Sequence, residues 1–177
     1  MPDRVIPETF LPAARSMAFK KSIWEKAGHF PEEYSHNEDY VFARRLKKIG
    51  AKIFFVREAV AYWLPRNNFK QAFIMFFRFA FGDAEAGIYR PKIFLIFLRY
   101  LFIFSLIIFD ILLNSSFILY FICFILILYI IWAIGKNFKY IKSWQALYIL
   151  PAMQIVSDAA VLSGTTIGLI KCIQIKK

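Results

Sequence analysis

Two adjacent carboxylates, Glu38 and Asp39, lie within the stretch SHNEDYVFARRLKKIG, residues 35–50. A carboxylate held by a rigid element can take a proton from a reacting hydroxyl, which is general base chemistry. Acidic residues also stabilise the first turn of a helix, by about 0.3–1 kcal/mol through the helix dipole. Ser35 and Glu38 have the spacing of a capping box. On spacing alone the pair predicts a helix start, but Ser35 and Glu38 suffice for it, which leaves Asp39 without a necessary structural role.

The residues after the pair predict the helix that would position it. Phe42, Leu46 and Ile49 recur at intervals of four and three residues, which is a helical stripe. Gly50 is a typical stop signal, because glycine readily adopts the left-handed conformation that ends a helix.

Strand-like segments surround this helix. Residues 14–19 indicate a short strand or an extended segment, and residues 52–56 and 59–63 are rich in β-branched and aromatic side chains. The sequence therefore predicts a partial α/β domain over residues 1–68, too short to close its own sheet.

The chain is more apolar than a soluble domain, and its long apolar runs lie in the second half. Of the 177 residues, 59% are hydrophobic, against about 45–50% in a typical soluble domain. The runs Ile93–Leu113 and Ser116–Ile134 are long enough to cross a bilayer, which takes about 20 residues. Leu147–Ile170 contains Pro151 and several polar residues, so it is either a third span or an interfacial or re-entrant helix. We therefore predict a mainly α-helical membrane protein, with its membrane domain over residues 93–177.

Three charges fall inside these runs. Arg99 and Asp110 lie toward opposite ends of the first run, from which both could reach an interface. Asp158, in the third run, would need a partner or a protein-lined face. Small residues around it would let a neighbouring helix approach closely: Ser157, Ala160, Ser163, Gly164, Thr165 and Gly168.

The distribution of basic residues predicts an orientation in the membrane. Residues 1–92 hold 16 Lys and Arg, and the loop between the first two runs holds none. By the positive-inside rule we expect an integral protein of the cytoplasmic (inner) membrane, with its N-terminal part in the cytoplasm. The loop after the second run is also basic, with Lys136, Lys139 and Lys142. The basic tail favours a cytoplasmic end, which an odd number of spans does not give: Lys171, Lys176 and Lys177.

Taken in order, the stretches AFKKSIWEKAGHFPEE and NEDYVFARRLKKIGAKIFFVREAVAYWLPR, an aromatic and basic segment, and the apolar runs resemble a known family. They resemble the C-terminal part of membrane-bound family-2 glycosyltransferases, which have a GT-A catalytic domain and build exopolysaccharides and glycolipids. The resemblance covers the chain from about residue 14 to the last apolar run. Its most specific positions are Asn37, Glu38, Asp39, Phe42, Arg45, Leu46 and Gly50.

The resemblance implies a role for each carboxylate. Asp39 would be the general base that takes the proton from the acceptor hydroxyl as its oxygen attacks the sugar's anomeric carbon. Glu38 would support the cap or the site.

The resemblance also implies contacts to the acceptor or the diphosphate. Arg78 and Phe79 match a Gln-x-x-Arg-aromatic motif in which Met75 replaces the glutamine. From the residues alone, the segment 69–92 instead indicates an amphipathic interfacial helix. Arg66, in a Pro-Arg element, is equally a loop or snorkelling arginine. The contacts implied are Arg78, Phe79, Arg66 and Arg45.

A GT-A enzyme holds its donor and a divalent metal on an N-terminal half with an Asp-x-Asp motif. No such half is visible in this sequence, so the resemblance implies no cofactor in this chain, and Mg²⁺ or Mn²⁺ only with the donor-binding half. The similar string Asp83–Glu85 is interpreted as surface charge in a turn. His29 and His36 have no Cys or His partners at ligand spacing, so no metal site is predicted.

Two functions remain open. The first is the C-terminal portion of a glycosyltransferase, with inverting transfer of a sugar from a nucleotide-sugar donor to a lipid-linked or saccharide acceptor. The chain alone would then not hydrolyse nucleotide sugars. The second is a non-catalytic membrane remnant or accessory subunit whose basic residues bind anionic membrane lipids. The net charge of +11 also suits nucleic acid, but no recognition motif is present and no such partner is expected.

Overall fold

A computed structural model describes residues 6, 9–62, 64, 66–114, 116–139, 141 and 143–175. The chain is mainly helical. In the described part of the chain, a 3₁₀ turn at Ala14–Ser16 precedes six helices, which we number in chain order: α1 (Lys21–Lys26), α2 (Glu38–Lys48), α3 (Phe69–Glu85), α4 (Pro91–Leu113), α5 (Ser116–Phe138) and α6 (Ala146–Ile175).

None of the expected strands forms among the residues that the structure describes. Residues 14–16 are a 3₁₀ turn, and residues 51–56 and 59–62 are irregular; Trp63, the end of the third expected strand, lies outside the described residues. Residues 52–56 do alternate between exposed and half-buried, as a strand would. A strand also needs a second strand to pair its backbone N–H and C=O groups, and local sequence does not supply one. The predicted α/β part, and the GT-A piece implied by the resemblance, are therefore wrong for the described chain.

A small apolar core fixes α2 in the N-terminal part. Phe42 and Leu46 are buried, with Ala27 beside them, and the Phe30 ring stacks on Phe42 at 4.3 Å between centroids. Ile49 packs against the same cluster. The predicted helical stripe is thus confirmed, and it turns the start of α2 toward α3.

Helix α3 occupies most of the segment expected to be an interfacial helix. It begins at Phe69, where the Asn68 side chain accepts a hydrogen bond from the backbone N–H of Gln71 at 2.9 Å. That bond satisfies one of the unpaired donors at a helix start. The segment does not stay helical to residue 92, because Pro91 begins α4 in the position that proline favours.

Among the described residues, three helices are long and apolar enough to cross a membrane: α4, α5 and α6. They contain the three predicted spans, and each extends a few residues further. The connection between α4 and α5 is short, since α4 ends at Asn114 in the left-handed conformation (φ 46°) and α5 begins at Ser116. Several residues used to predict orientation lie outside the described residues: Lys142, Lys176 and Lys177.

The predicted close approach to α6 is confirmed, and the neighbouring helix is α3. A Cβ atom on Gly164 would lie 2.5 Å from the Phe77 carbonyl oxygen, and one on Gly168 would lie 2.8 Å from the Phe81 carbonyl oxygen. Contacts at this distance leave no room for a side chain. Residues four apart on α6 meet residues four apart on α3 in the same order, so the two helices run parallel along this contact.

Asp158 has the partners that its position demands. It is fully buried and accepts hydrogen bonds from Arg99 of α4 and Tyr129 of α5, the latter at 2.6 Å. Tyr100 and Gln154 also donate to it. The expectation that Arg99 snorkels to an interface is therefore wrong, because pairing with Asp158 satisfies its charge inside the helix bundle.

Candidate functional site

The start of α2 faces α3 across an open cleft of about 340 Å³. Polar and charged side chains form most of its lining. Two are acidic, Glu38 and Asp39, and three are basic, Arg15, Arg66 and Arg78. The other lining residues are Ser35, His36, Asn37, Gln71, Ile74, Met75 and Phe79.

The cleft brings together most of the residues singled out from the sequence. Glu38, Asp39, Arg66, Arg78 and Phe79 all line it, although they come from three segments of the chain. The exception is the remaining basic residue of the predicted motif. Arg45 lies outside the cleft, where its guanidinium donates to Glu33 at 3.0 Å and to the Gly28 carbonyl at 3.3 Å.

Asp39 has a structural role as well as a place in the cleft. Its Oδ2 accepts a hydrogen bond from the backbone N–H of Ala14 at 3.0 Å, and its Oδ1 accepts one from the N–H of Tyr40 at 2.7 Å. The interpretation that Asp39 lacks a structural role is therefore wrong. These bonds fix the carboxylate to α2 and to the segment before α1.

The predicted capping box does not form. Helix α2 begins after Asn37, which has no side-chain cap bond and adopts a left-handed backbone (φ 61°). Asparagine tolerates this conformation better than most residues. Ser35 does not bond to the start of α2, because both its N–H and its hydroxyl donate to Glu85 of α3, at 2.9 and 2.7 Å.

Two charges of opposite sign remain available in the cleft. The side chains of Glu38 and Arg78 are exposed, and neither has a hydrogen-bond or ion-pair partner among the described residues. Because both side chains are exposed, water solvates their charges. These two side chains can instead contact a ligand without breaking an existing bond.

Residues at the end of α3 form hydrogen bonds with residues 35–37, the loop before α2 that lines the cleft. The Asn37 side chain donates to the Phe79 carbonyl and to Asp83, each at 3.0 Å, while Glu85 accepts from Ser35 as described above. Asp83 and Glu85 are buried. Their interpretation as surface charge in a turn is therefore wrong. The available signal was their position in an otherwise apolar segment, because buried carboxylates need partners.

Basic residues of the long apolar helices complete these contacts. Arg90, at the start of α4, donates to Asp83 and lies 5.3 Å from the centre of the Tyr40 ring. Lys171 of α6 donates to Glu85 at 2.6 Å. Burial alone would raise the pKa of Glu85, but the hydrogen bonds from Lys171 and Ser35 and the Lys171 charge outweigh it and lower that pKa. Asp83 and Glu85 thus connect the cleft to α4 and α6.

Gly82 allows this loop to touch α3 backbone to backbone. A Cβ atom there would lie 2.7 Å from His36 Cβ and 2.9 Å from the His36 carbonyl oxygen. Real Cβ atoms do not approach other atoms so closely. A larger residue would push the His36 segment, and with it Glu38 and Asp39, away from α3.

Within the described part of the chain, no group of three or more His, Cys, Asp or Glu side chains could hold a metal ion. The acidic residues of the cleft, Glu38 and Asp39, lie among arginines, which can contact an anionic ligand directly through charge-assisted hydrogen bonds.

Comparison with protein-family models, curated proteins and solved structures finds no match to this chain. Together with the all-helical fold of the described residues, this overturns the resemblance to family-2 glycosyltransferases. The fold and the cleft define a helical protein with three helices suited to a membrane and a charged site beside them.

Proposed function

We propose that the cleft binds the acceptor in a sugar transfer at a membrane surface. In this reaction a sugar passes from a nucleotide-sugar donor to a lipid-linked or saccharide acceptor, with Asp39 as general base. The observation that carries the proposal is the meeting of a fixed carboxylate, Asp39, with the unpartnered charges of Glu38 and Arg78 in one cleft.

The chemistry requires a base that keeps its position while a proton moves. As the acceptor oxygen bonds to the anomeric carbon, its proton passes to Asp39, and the bond from that carbon to the nucleoside diphosphate breaks. Attack from the opposite side inverts the configuration. Each Asp39 oxygen accepts one backbone hydrogen bond, and a carboxylate oxygen has a second lone-pair site that can take the proton.

The arginines suit a phosphate-bearing ligand. Guanidinium groups bind phosphate through paired hydrogen bonds, and Arg15, Arg66 and Arg78 all line the cleft. Arg78 lies on α3, which packs directly on α6. This position suits an acceptor whose phosphate is anchored in a membrane by a lipid tail. The excess of basic residues in the N-terminal part supports a cytoplasmic location of the cleft.

The proposal is tested with membranes in which the full chain is co-expressed with a nucleotide-sugar-binding half, to which a panel of radiolabelled UDP- and GDP-sugars is added. Label transferred to the lipid or polysaccharide fraction is measured for the parent chain, Asp39→Asn and Glu32→Gln. General base catalysis typically contributes about 10²–10⁴-fold, so Asp39→Asn should lose at least about 100-fold. Glu32 is exposed in a loop outside the cleft, so Glu32→Gln should transfer label normally.

Two results would count against this function. One is equal transfer by Asp39→Asn and the parent chain, which would show that Asp39 is not the general base. The other is no transfer by the parent chain with any donor of the panel, in membranes where the chain is shown to be folded.

A non-catalytic role in binding anionic lipid is the second candidate. It is favoured by the three arginines of the cleft and by the structural bonds of Asp39. It predicts that Arg78→Gln weakens association with anionic vesicles while Asp39→Asn does not, and that neither variant affects sugar transfer.

A further inference from the structure

A second cavity, of about 390 Å³, lies on the opposite side of α3 from the cleft. Met75 lines the cleft and Ala84 lines this cavity. They are separated by nine residues, which is about 180° around a helix of 3.6 residues per turn. Helices α4 and α6 form the other walls. The cavity is therefore separate from the proposed reaction site and needs its own explanation.

The walls of this cavity are almost entirely apolar. Ile88, Ile93, Phe94, Phe97 and Leu169 contribute most of them. The polar residues of the lining are Tyr89 and Arg90 at its edge and Thr165 on α6. The Thr165 hydroxyl oxygen is buried and has no hydrogen-bond partner among the described residues. Its volume falls in the range of about 300–1,000 Å³ that is typical of ligand sites.

The cavity is continuous with the apolar outer surface of α4. Phe94 lines it and is also 68% exposed. Both α4 and α6 are long and apolar enough to cross a membrane, so this surface would face hydrocarbon in a bilayer. Water would find few hydrogen-bond partners inside such walls. The occupant that this position favours is an acyl chain.

The residues at the start of α4 indicate which kind of lipid. Tyr89 and Arg90 line the cavity, and Lys92 follows in the first turn of α4; all three are exposed. Arg90 forms an ion pair with Asp83, whereas Lys92 has no ion-pair partner among the described residues. Tyrosine and basic residues are typical of the headgroup level of a membrane.

We propose that this cavity binds one acyl chain of an anionic membrane phospholipid. The headgroup would lie against Arg90 and Lys92, and the acyl chain would lie against Phe94, Phe97 and Leu169. The lipid would fill the space between α3, α4 and α6. It would thereby support α3 from behind while the cleft on the other face stays open to its own ligand.

The proposal is tested by native mass spectrometry of the full chain released from nanodiscs of equal parts palmitoyl-oleoyl phosphatidylglycerol and phosphatidylcholine. We expect one retained phosphatidylglycerol per chain. Leu169→Trp fills the cavity and should abolish retention. Its matched control is Ile170→Trp, at an exposed position of α6 outside the cavity, which should retain the lipid.

A second variant covers the case in which Leu169→Trp does not fold. Lys92→Gln leaves the cavity intact and should reduce the preference for phosphatidylglycerol over phosphatidylcholine about fivefold, since one basic residue near an anionic surface is worth about 1 kcal/mol. Retention that persists in folded Leu169→Trp would overturn the cavity site. Retention that is lost in Arg78→Gln instead would assign the lipid to the cleft, and equal retention of the two lipids would overturn the anionic headgroup.

Discussion

In the cleft, Glu38 and Arg78 are exposed and have no partner among the described residues, whereas Asp158, between the apolar helices, accepts hydrogen bonds from four side chains. Charged side chains in this chain therefore have two kinds of environment, one exposed to solvent and one buried among hydrogen-bond donors. Where water is absent, an unpaired charge would cost several kcal/mol, and Asp158 there is paired with Arg99. At the cleft, solvent lets charges stay unpaired, and they remain available to a ligand.

The carboxylates at the end of α3 lie between these extremes. Asp83 and Glu85 are buried and paired with Arg90 and Lys171, but they also bind the loop of the cleft. Through these contacts, the packing of α4 and α6 against α3 helps to fix the position of the loop that lines the cleft. Substitutions in the paired region should thus reduce stability, and substitutions in the cleft should reduce binding.

The largest effect is expected at Asp158. Asp158→Leu leaves Arg99 buried without its partner, and breaking such a pair typically costs about 3–5 kcal/mol. We expect that loss in the free energy of unfolding, measured by denaturant titration of the chain in mixed micelles. The double variant Arg99→Leu with Asp158→Leu should recover much of it, because no unpaired charge then remains. Equal losses in both variants would show that packing, and not charge, holds this cluster.

A smaller loss is expected at Gly82. Gly82→Ala places a Cβ atom 2.7 Å from His36 Cβ, and overpacking of this kind costs about 1–3 kcal/mol. The matched control is Gly135→Ala in α5, where nothing lies within 4 Å. That variant should gain up to about 1 kcal/mol from helix propensity. The same denaturant titration in mixed micelles checks both variants, and an unchanged free energy of unfolding in Gly82→Ala would mean that the loop can move without cost.

Loss of the bridge formed by Glu85 with Ser35 and Lys171 should lower the free energy of unfolding by about 1 kcal/mol. This contribution should depend on pH. The pKa of Glu85 is lowered in the folded chain, so its contribution is fully present above the ordinary value of 4.5 and is lost as the pH falls through the folded-state value. Hydrogen exchange of the Ser35 amide, which donates to Glu85, should therefore show loss of protection on acidification. In Glu85→Gln the protection should be low at neutral pH and nearly independent of pH; an unchanged pH profile in that variant would rule out the bridge.

Much of the fold could be predicted because its causes are local. The uninterrupted apolar runs predicted α4 and α5 to within a few residues, and the stripe of Phe42 and Leu46 predicted α2. The strands expected at 52–56 and 59–63 do not form among the described residues. Local sequence could not show this, because a strand depends on a distant partner strand.

The site was predicted only in part for the same reason. Motif positions singled out five residues that line the cleft: Glu38, Asp39, Arg66, Arg78 and Phe79. The contacts that hold the cleft are long-range, since Ser35 has a partner 50 residues away and Glu85 has one 86 residues away. Spacing in the sequence suggested a capping bond between Ser35 and Glu38, and the tertiary contact with Glu85 replaced it.

The central claim is that Arg78, which has no partner among the described residues, binds a phosphate-bearing ligand and does not hold the fold. It is tested most directly by the affinity of the full chain for a short-chain polyprenyl diphosphate, measured by calorimetry in micelles together with the unfolding midpoint. Arg78→Gln should weaken binding about tenfold or more, since hydrogen bonds to charged groups are worth about 1.5–3 kcal/mol, and should leave the midpoint unchanged. Arg57→Gln, which removes an exposed charge outside the cleft, should change neither. Unchanged affinity in Arg78→Gln, or a loss of affinity explained by a lower unfolding midpoint, would contradict the account.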